Sequence, residues 1–243
     1  MNSTPQIQAS ILDRIGNTSL LELNNIVPKD CARILVKLES ENPTGSMKDR
    51  MALAMIEAAE KDGRLKAADR VIEYTGGSAG VSLALICAVK GYKLSIVTSD
   101  AFSREKRNQM AAFGADLTIV MSESGGMDAS LTHKMIEAAR QLTERSGGFW
   151  ADQLNNTDNL AAYHKMGEEI WAQSEGKVSA FIQMVGTAAS SCGVSEAFHK
   201  HNADIHCVAV EPSESAVLSG GKPGGTRSKV SVQALLFHCG KPM

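Results

Sequence analysis

The 243-residue sequence carries almost no excess of charge: 25 lysines and arginines stand against 27 aspartates and glutamates, for a net charge of −2. That balance removes the electrostatic case for nucleic acid or a membrane surface as a partner. No apolar run reaches membrane-spanning length, and the opening Met1-Asn2-Ser3-Thr4-Pro5-Gln6 lacks the basic flank and hydrophobic stretch of a secretory signal. The five cysteines include no C-x-x-C pair, and Cys31, Cys87, Cys192 and Cys207 lie in or beside apolar segments. Reduced, mostly buried thiols in a cytoplasmic protein are therefore expected, in place of a disulfide framework or a zinc site. His199 and His201 are two residues apart with no carboxylate cluster beside them, so no metal site is expected. Also missing are the G-x-G-x-x-G of a dinucleotide fold and the spacing of a nucleoside triphosphatase phosphate loop.

What is present is the composition of an ordinary globular protein, 43% hydrophobic and 21% charged, long enough for one large α/β domain or two smaller ones. Apolar strand-like runs at 34–38, 71–74, 94–97, 117–120, 180–185 and 206–210 alternate with helical patterns near 48–61, 80–90, 103–113, 127–146, 158–174 and 188–200. This alternation predicts a mostly parallel sheet with helices on both faces. Gly91 and Gly114 sit at helix ends, where a left-handed residue is needed. A domain division is expected between Gly147-Gly148 and Asn155-Asn156, although no low-complexity linker marks it.

One stretch stands apart, Asn42-Pro43-Thr44-Gly45-Ser46-Met47-Lys48-Asp49-Arg50. Pro43 and Gly45 make a turn, Ser46 is a candidate helix cap, and Asp49 is its acidic capping-box partner. Lys48 then falls in the first helical turn, where the positive end of the helix dipole disfavours an ammonium. In a dry site both effects lower its pKa, as a Schiff-base lysine requires; pointing into water, it is only a surface lysine. Two further turns join a strand end to a helix start: Thr75-Gly76-Gly77-Ser78-Ala79-Gly80, and Gly186-Thr187-Ala188-Ala189-Ser190. At the carboxyl ends of parallel strands such turns offer N–H donors to a phosphate or carboxylate. Each taken singly is equally readable as a plain connection.

In combination these segments resemble the cysteine synthase and cystathionine β-synthase family of pyridoxal-phosphate enzymes. The resemblance rests on residues 42–50, on Glu73-Tyr74 with the turn that follows, on Val185-Gly186-Thr187 and on Glu211-Pro212, in that order. Arg14-Ile15-Gly16-Asn17-Thr18-Ser19-Leu20 adds to it, with Ser19 where a proline is usual. It covers roughly residues 10 to 225. It implies the tryptophan synthase β-type fold (fold type II), with two parallel-sheet α/β domains around a cofactor cleft. Residues 41–150 would form the smaller domain, and 1–40 with 151–243 the larger, incomplete one.

The resemblance also assigns roles. Lys48 matches the lysine that carries pyridoxal 5'-phosphate and moves the substrate Cα proton. Gly186, Thr187, Ala188, Ala189 and Ser190 match the phosphate cup. Thr75, Gly76, Gly77 and Ala79 match the loop that holds the substrate carboxylate. Ser78 stands where many members have an asparagine facing the cofactor ring oxygen, and Gln153 matches a glutamine beside the substrate. The implied reaction is β-replacement, forming cysteine from O-acetylserine and sulfide, in a cytoplasmic homodimer acting on a small amino acid and a sulfur nucleophile. Cystathionine formation and serine or threonine dehydration are alternatives.

An inactive homologue is a third reading, because the chain departs from the family at two places. Ala188 and Ala189 replace glycines usual in the phosphate cup; the expectation favoured here is that both are helical and harmless. After Gly224 the sequence leaves the family pattern, as a shifted reading frame or a truncated gene would produce. From this, exposed apolar surface, weak cofactor binding and poor packing after about residue 225 are expected.

Overall fold

The computed structural model describes residues 9–28, 30–123, 125–126 and 129–222. Four parallel strands form the larger sheet: β3 (Arg70–Tyr74), β4 (Lys93–Ser99), β5 (Asp116–Val120) and β6 (Phe149–Trp150), in the order β5-β4-β3-β6. Before them a short antiparallel pair joins β1 (Leu20–Glu22) to β2 (Leu35–Lys37). After them β7 (Ala180–Met184) and β8 (His206–Val210) pair in parallel, from Ala180 opposite His206 to Met184 opposite Val210. The expected strands are all present; β1 and the two-residue β6 were not anticipated.

The sheet's central strands are buried on both faces, which is why β3 and β4 read as nearly continuous apolar runs. On one face Val71, Leu94 and Ile96 meet α1 (Lys48–Asp62) and α2 (Ser78–Lys90). On the other, Ile72, Tyr74 and Val97 meet Leu131, Met135 and Ala139 of α4 (Ala129–Ser146). Between them α3 (Arg104–Ala112) follows β4.

Helix α1 is the hinge of the packing. Its buried residues Met51, Ala52, Met55, Ile56 and Ala59 recur at helical spacing, and it touches α2 on one side and α5 (Asp158–Gln173) on the other. Gly63 ends it in the left-handed conformation, at φ 81°. Helix α5 lies along α6 (Ala189–His201), where Gly167 and Gly193 let the two backbones approach closely.

The β7–β8 pair is covered on one face only by the described residues. Phe181 packs edge-on against Phe198 of α6 with ring centroids 5.6 Å apart. Ile182 and Met184, 67% and 51% exposed, point the other way with Val208 and Val210. The expected divergent tail lies outside the described residues. The thiols only partly match expectation: Cys87 is buried, Cys207 is half-buried, Cys31 is exposed, and Cys192 is disulfide-bonded.

Candidate active site

Three helix starts supply the site. The turn before α1 is closed by its own side chains: Gly45 N–H donates to Asn42 O at 2.7 Å, and Gly45 takes φ 75°. The expected Ser46 cap and Asp49 capping box are corrected. Met47 is the N-cap residue and makes no side-chain cap, although Ser46 Oγ accepts from Lys48 N–H at 3.2 Å. Asp49 is unavailable because its buried carboxylate accepts from Thr44 N–H (2.8 Å) and the Thr44 hydroxyl (2.5 Å). The Thr44 hydroxyl also lies 3.3 Å from Ser82 Oγ, tying this turn to α2.

Two residues beyond Lys48, Arg50 is clamped from both sides. Its Nε and Nη2 reach the Glu39 carboxylate at 2.7 and 2.8 Å, and its Nη1 and Nη2 reach Glu169 at 2.7 Å each. Burial by itself would lower the Arg50 pKa, but the Glu169 and Glu39 hydrogen bonds raise it well above the ordinary value. Likewise burial would raise the Glu169 carboxyl, whereas Arg50, Asn17 N–H and Lys37 hold it at about 2. The start of α1 is thereby fixed to α5, and Lys48 with it.

Lys48 is half-buried by surface area, yet protein surrounds its amine closely enough that desolvation lowers its pKa to about 8. Its Nζ lies 3.4 Å from Thr187 Oγ1 and 4.0 Å from Met51 Sδ. The structure therefore brings Lys48 to the start of α6. There Gly186 and Thr187 lead into Ala188, the N-cap, at φ 64° and ψ −22°. The expectation that both cup alanines are helical is corrected: Ala189 opens α6, but Ala188 is left-handed, where its methyl crowds the following carbonyl. Ala189 and Ser190 are buried, and Ser190 Oγ accepts from Gln183 Nε2 at 2.7 Å.

The third start follows β3. Thr75 N–H donates to Val97 O, Gly77 N–H donates to Thr75 Oγ1 at 3.2 Å, and Ser78 begins α2. Gly76 is glycine because a Cβ there would stand 1.9 Å from Phe102 Cγ. Ala79 faces the core, leaving its backbone for the loop, while Gly76, Gly77 and Ser78 are half-buried. Gln153 lies beside the end of β3, with its N–H donated to Glu73 Oε2 at 3.0 Å.

Two residues of this region escaped the sequence reading. Gln183 holds Ser190 and also touches Met47 Sδ at 3.5 Å; the available signal was one amide inside Phe181-Ile182-Gln183-Met184-Val185. Glu73 is fully buried, an acid in an apolar strand just before a glycine turn. His164 pairs with Glu196, and His201 pairs with Glu168 while stacking on Trp171, away from this site.

An anionic, carbonyl-bearing group fits these residues. Among the described residues the N–H groups of Gly186, Thr187 and Ala188 find no acceptor, at the positive end of α6. A Cβ at Gly186 would meet nothing within 4 Å, and a desolvated amine stands alongside. The comparisons agree with that chemistry. The chain belongs to the family of pyridoxal-phosphate dependent enzymes, which it matches over residues 11–237, and its fold is the fold type II of that family.

Within the family it stands with the cysteine synthases. It is 40% identical over 217 residues to a cysteine synthase of Staphylococcus aureus, covering 88% of this chain and 68% of the relative. It is also 40% identical to cysteine synthase B of Salmonella typhimurium, over 85% of this chain and 66% of the relative. The crystal structure of O-acetylserine sulfhydrylase isoform 3 from Entamoeba histolytica superposes with a TM-score of 0.84 at 39% identity, covering 93% of this chain and 68% of that one. An O-ureido-L-serine synthase superposes with a TM-score of 0.81 at 32% identity, over 89% and 67% of the two chains. The chain thus spans about two thirds of the length of these relatives.

Proposed function

We propose that the protein makes cysteine by exchanging the acetate of O-acetylserine for sulfide. The observation that carries this reading is the Lys48 amine, its pKa lowered to about 8 and its Nζ 3.4 Å from Thr187 at the start of α6. An amine so placed is neutral often enough near pH 8 to bond a carbonyl carbon and to act as a base. Pyridoxal phosphate, when bound, supplies the electron sink for charge left at the substrate Cα. Lys48 would hold that group through Nζ, and its amine, when free, would accept the Cα proton on the same nitrogen.

The N–H groups of Gly186 to Ser190 would hold the phosphate, with Gln183 keeping Ser190 in place. Thr75, Gly76, Gly77 and Ala79 would receive the substrate carboxylate on their backbone, Ser78 would serve the cofactor ring, and Gln153 would contact the substrate. Acetate leaves Cβ, sulfide adds there, and the proton on Lys48 returns to Cα. The names of the relatives support this reading over cystathionine formation or dehydration. The division into residues 41–150 and 1–40 with 151–243, a homodimeric state and a cytoplasmic setting belong to the same proposal; sedimentation tests the dimer.

The test uses the 243-residue chain reconstituted with pyridoxal phosphate. At saturating cofactor, wild type is expected to show the visible absorption and to release cysteine from O-acetylserine and sulfide; absence of both signals would overturn the proposal in favour of the inactive homologue. Lys48→Ala is expected to lose both after dialysis, with turnover down at least a thousandfold, in keeping with removal of a covalent catalytic group. Absorption retained by the variant, or threonine turnover without any thiol, would overturn the assignment.

A further inference from the structure

Glu73 has no part in the chemistry above, yet it is a fully enclosed acid beside it. It is fully buried in β3, with Asp152, Gln153 and Trp150 as its neighbours. A carboxylate in such surroundings persists only if it is hydrogen-bonded. Both oxygens are engaged: Oε1 accepts from Tyr74 N–H at 2.9 Å, and Oε2 accepts from Gln153 N–H at 3.0 Å. These two N–H groups belong to different segments. Tyr74 runs directly into the 75–79 loop, and Gln153 lies in the connection from β6 to α5.

Gln153 is gripped on its other side as well. Its carbonyl accepts from Asn159 Nδ2 at 3.0 Å, and Asn159 is buried at the start of α5. Asp152, just before it, takes φ 45°, a left-handed conformation that aspartate visits more readily than most residues, and it turns the backbone sharply here. The peptide groups flanking the Gln153 Cα are thus pinned by two buried side chains from two elements. That arrangement fixes where the Gln153 side chain begins.

We propose that Glu73 is a positioning residue: its carboxylate, with Asn159, sets Gln153 against the 75–79 loop so that the two close on the amino-acid substrate together. This rests on the reading of Gln153 and the loop as substrate contacts. Ionisation matters to it, because a protonated oxygen turns one acceptor into a donor facing an N–H. Burial raises the Glu73 pKa to about 8, with Asp152 adding to the rise; the Gln153 and Tyr74 N–H groups oppose it. The Trp150 indole N–H lies near enough to favour the charged form, though outside hydrogen-bonding geometry. The Tyr74 phenol is pushed up by burial and by Glu73, and stays neutral throughout. The grip on Gln153 is therefore expected to tighten as pH rises through about 8.

The experiment compares wild type, Glu73→Gln and Glu73→Asp, each reconstituted with pyridoxal phosphate, with O-acetylserine as the probe. Glu73→Gln keeps the shape but sets an NH2 against one of the two N–H groups. Its KM for O-acetylserine is expected to rise about tenfold, the effect of losing a hydrogen bond to a charged group, with kcat changed less than twofold. Lys48 and the substrate amine titrate in the same range, so the contribution of Glu73 is the pH dependence of KM that this variant removes. Glu73→Asp keeps the charge and is expected to restore part of the KM and the pH dependence.

Hydrogen exchange at the Gln153 amide of the cofactor-free chain reads the grip without reference to catalysis, and a tenfold loss of protection in Glu73→Gln is expected. Equal KM values and pH profiles in wild type and Glu73→Gln would overturn the proposal. So would loss of kcat and KM together without rescue by aspartate, which marks a purely structural role. If wild type binds no O-acetylserine while Gln153 stays protected, the functional reading fails and takes the positioning role with it, leaving only the grip.

Discussion

After β3 the chain turns through Thr75-Gly76-Gly77 into α2, and after β7 it turns through Gly186-Thr187-Ala188 into α6. Both turns stand at the carboxyl end of a parallel strand, but different forces dictate their residues. At Gly76 the backbone is undemanding and the space is not: a Cβ would enter the Phe102 ring, and at Gly80 one would meet Met110 Sδ at 2.4 Å. At the second turn the space is open and the backbone is demanding, with Ala188 at φ 64°. One turn is held by its neighbours, the other against its own residue. Packing locks the first in a single geometry, while the second depends on what lies around it, Lys48 and Gln183 above all.

The support common to both turns is the start of α1, and removing it is the largest perturbation available. Arg50→Met leaves Glu39 and Glu169 without their guanidinium. Breaking a buried pair costs about 3–5 kcal/mol, and with the two carboxylates 16% and 22% exposed the lower end applies, about 3 kcal/mol at neutral pH. The sign of its pH dependence follows from Glu169. Its folded pKa, about 2, lies below the unfolded value, so the stability it contributes is present at neutral pH and is lost as pH falls from the ordinary carboxylate range towards 2. Urea unfolding from pH 7 to pH 3 is expected to show the gap between wild type and variant narrowing as pH falls. A constant gap would mean that Arg50 acts by packing alone.

A smaller perturbation separates the two turns directly. Gly76→Ala drives a methyl into Phe102 and is expected to cost about 2 kcal/mol, in the range of overpacked cores. Gly186→Ala has an unobstructed site and is expected to change unfolding free energy by less than about 0.5 kcal/mol. Adding Phe102→Ala should recover part of the Gly76→Ala loss, since Phe102 is only half-buried and can be given up. Equal costs at Gly76 and Gly186, measured by urea unfolding, would erase the distinction between them.

The same contrast explains what could be read from sequence. Strand and helix order was legible because buried parallel strands such as Val71-Ile72-Glu73-Tyr74 are apolar but for a single residue and their helices carry an apolar stripe at 3.6-residue spacing. Lys48 was legible because Pro43 and Gly45 force a turn directly before it. Phe149–Trp150 was not, since two residues carry no periodicity and pair only because β3 lies alongside. Nor was the Arg50 clamp, whose partner Glu169 is 119 residues away in sequence. Glu73 and Gln183 each looked like one polar residue in a strand; their partners come from other elements. Ala188 misled most, because nothing local asks an alanine for positive φ. The conformation comes from the need to swing out of β7 and start α6 beside Lys48.

That misreading yields the finest test, because it assigns opposite signs to neighbouring alanines. At Ala188 a left-handed alanine costs about 1–2 kcal/mol relative to glycine's freedom there. Glycine returns part of that gain by loosening the unfolded chain, about 0.5–1 kcal/mol. Ala188→Gly is therefore expected to stabilise the protein by somewhat less than about 1 kcal/mol, a rise of about 2 °C in Tm for a chain of this size. At Ala189, the first residue of α6, the backbone is helical and the side chain packs in the core. Ala189→Gly removes that methyl and adds helix entropy, for a loss of about 1 kcal/mol or more. Thermal unfolding of the two variants without cofactor reads both signs. If both destabilise, Ala188 is helical after all, and the second turn differs from the first only in having room to spare. If the signs oppose, pyridoxal phosphate titration of Ala188→Gly becomes informative, because the strain is then shown to sit where the phosphate would bind. Cofactor affinity equal to wild type would mean that the strained residue shapes the turn without touching the phosphate.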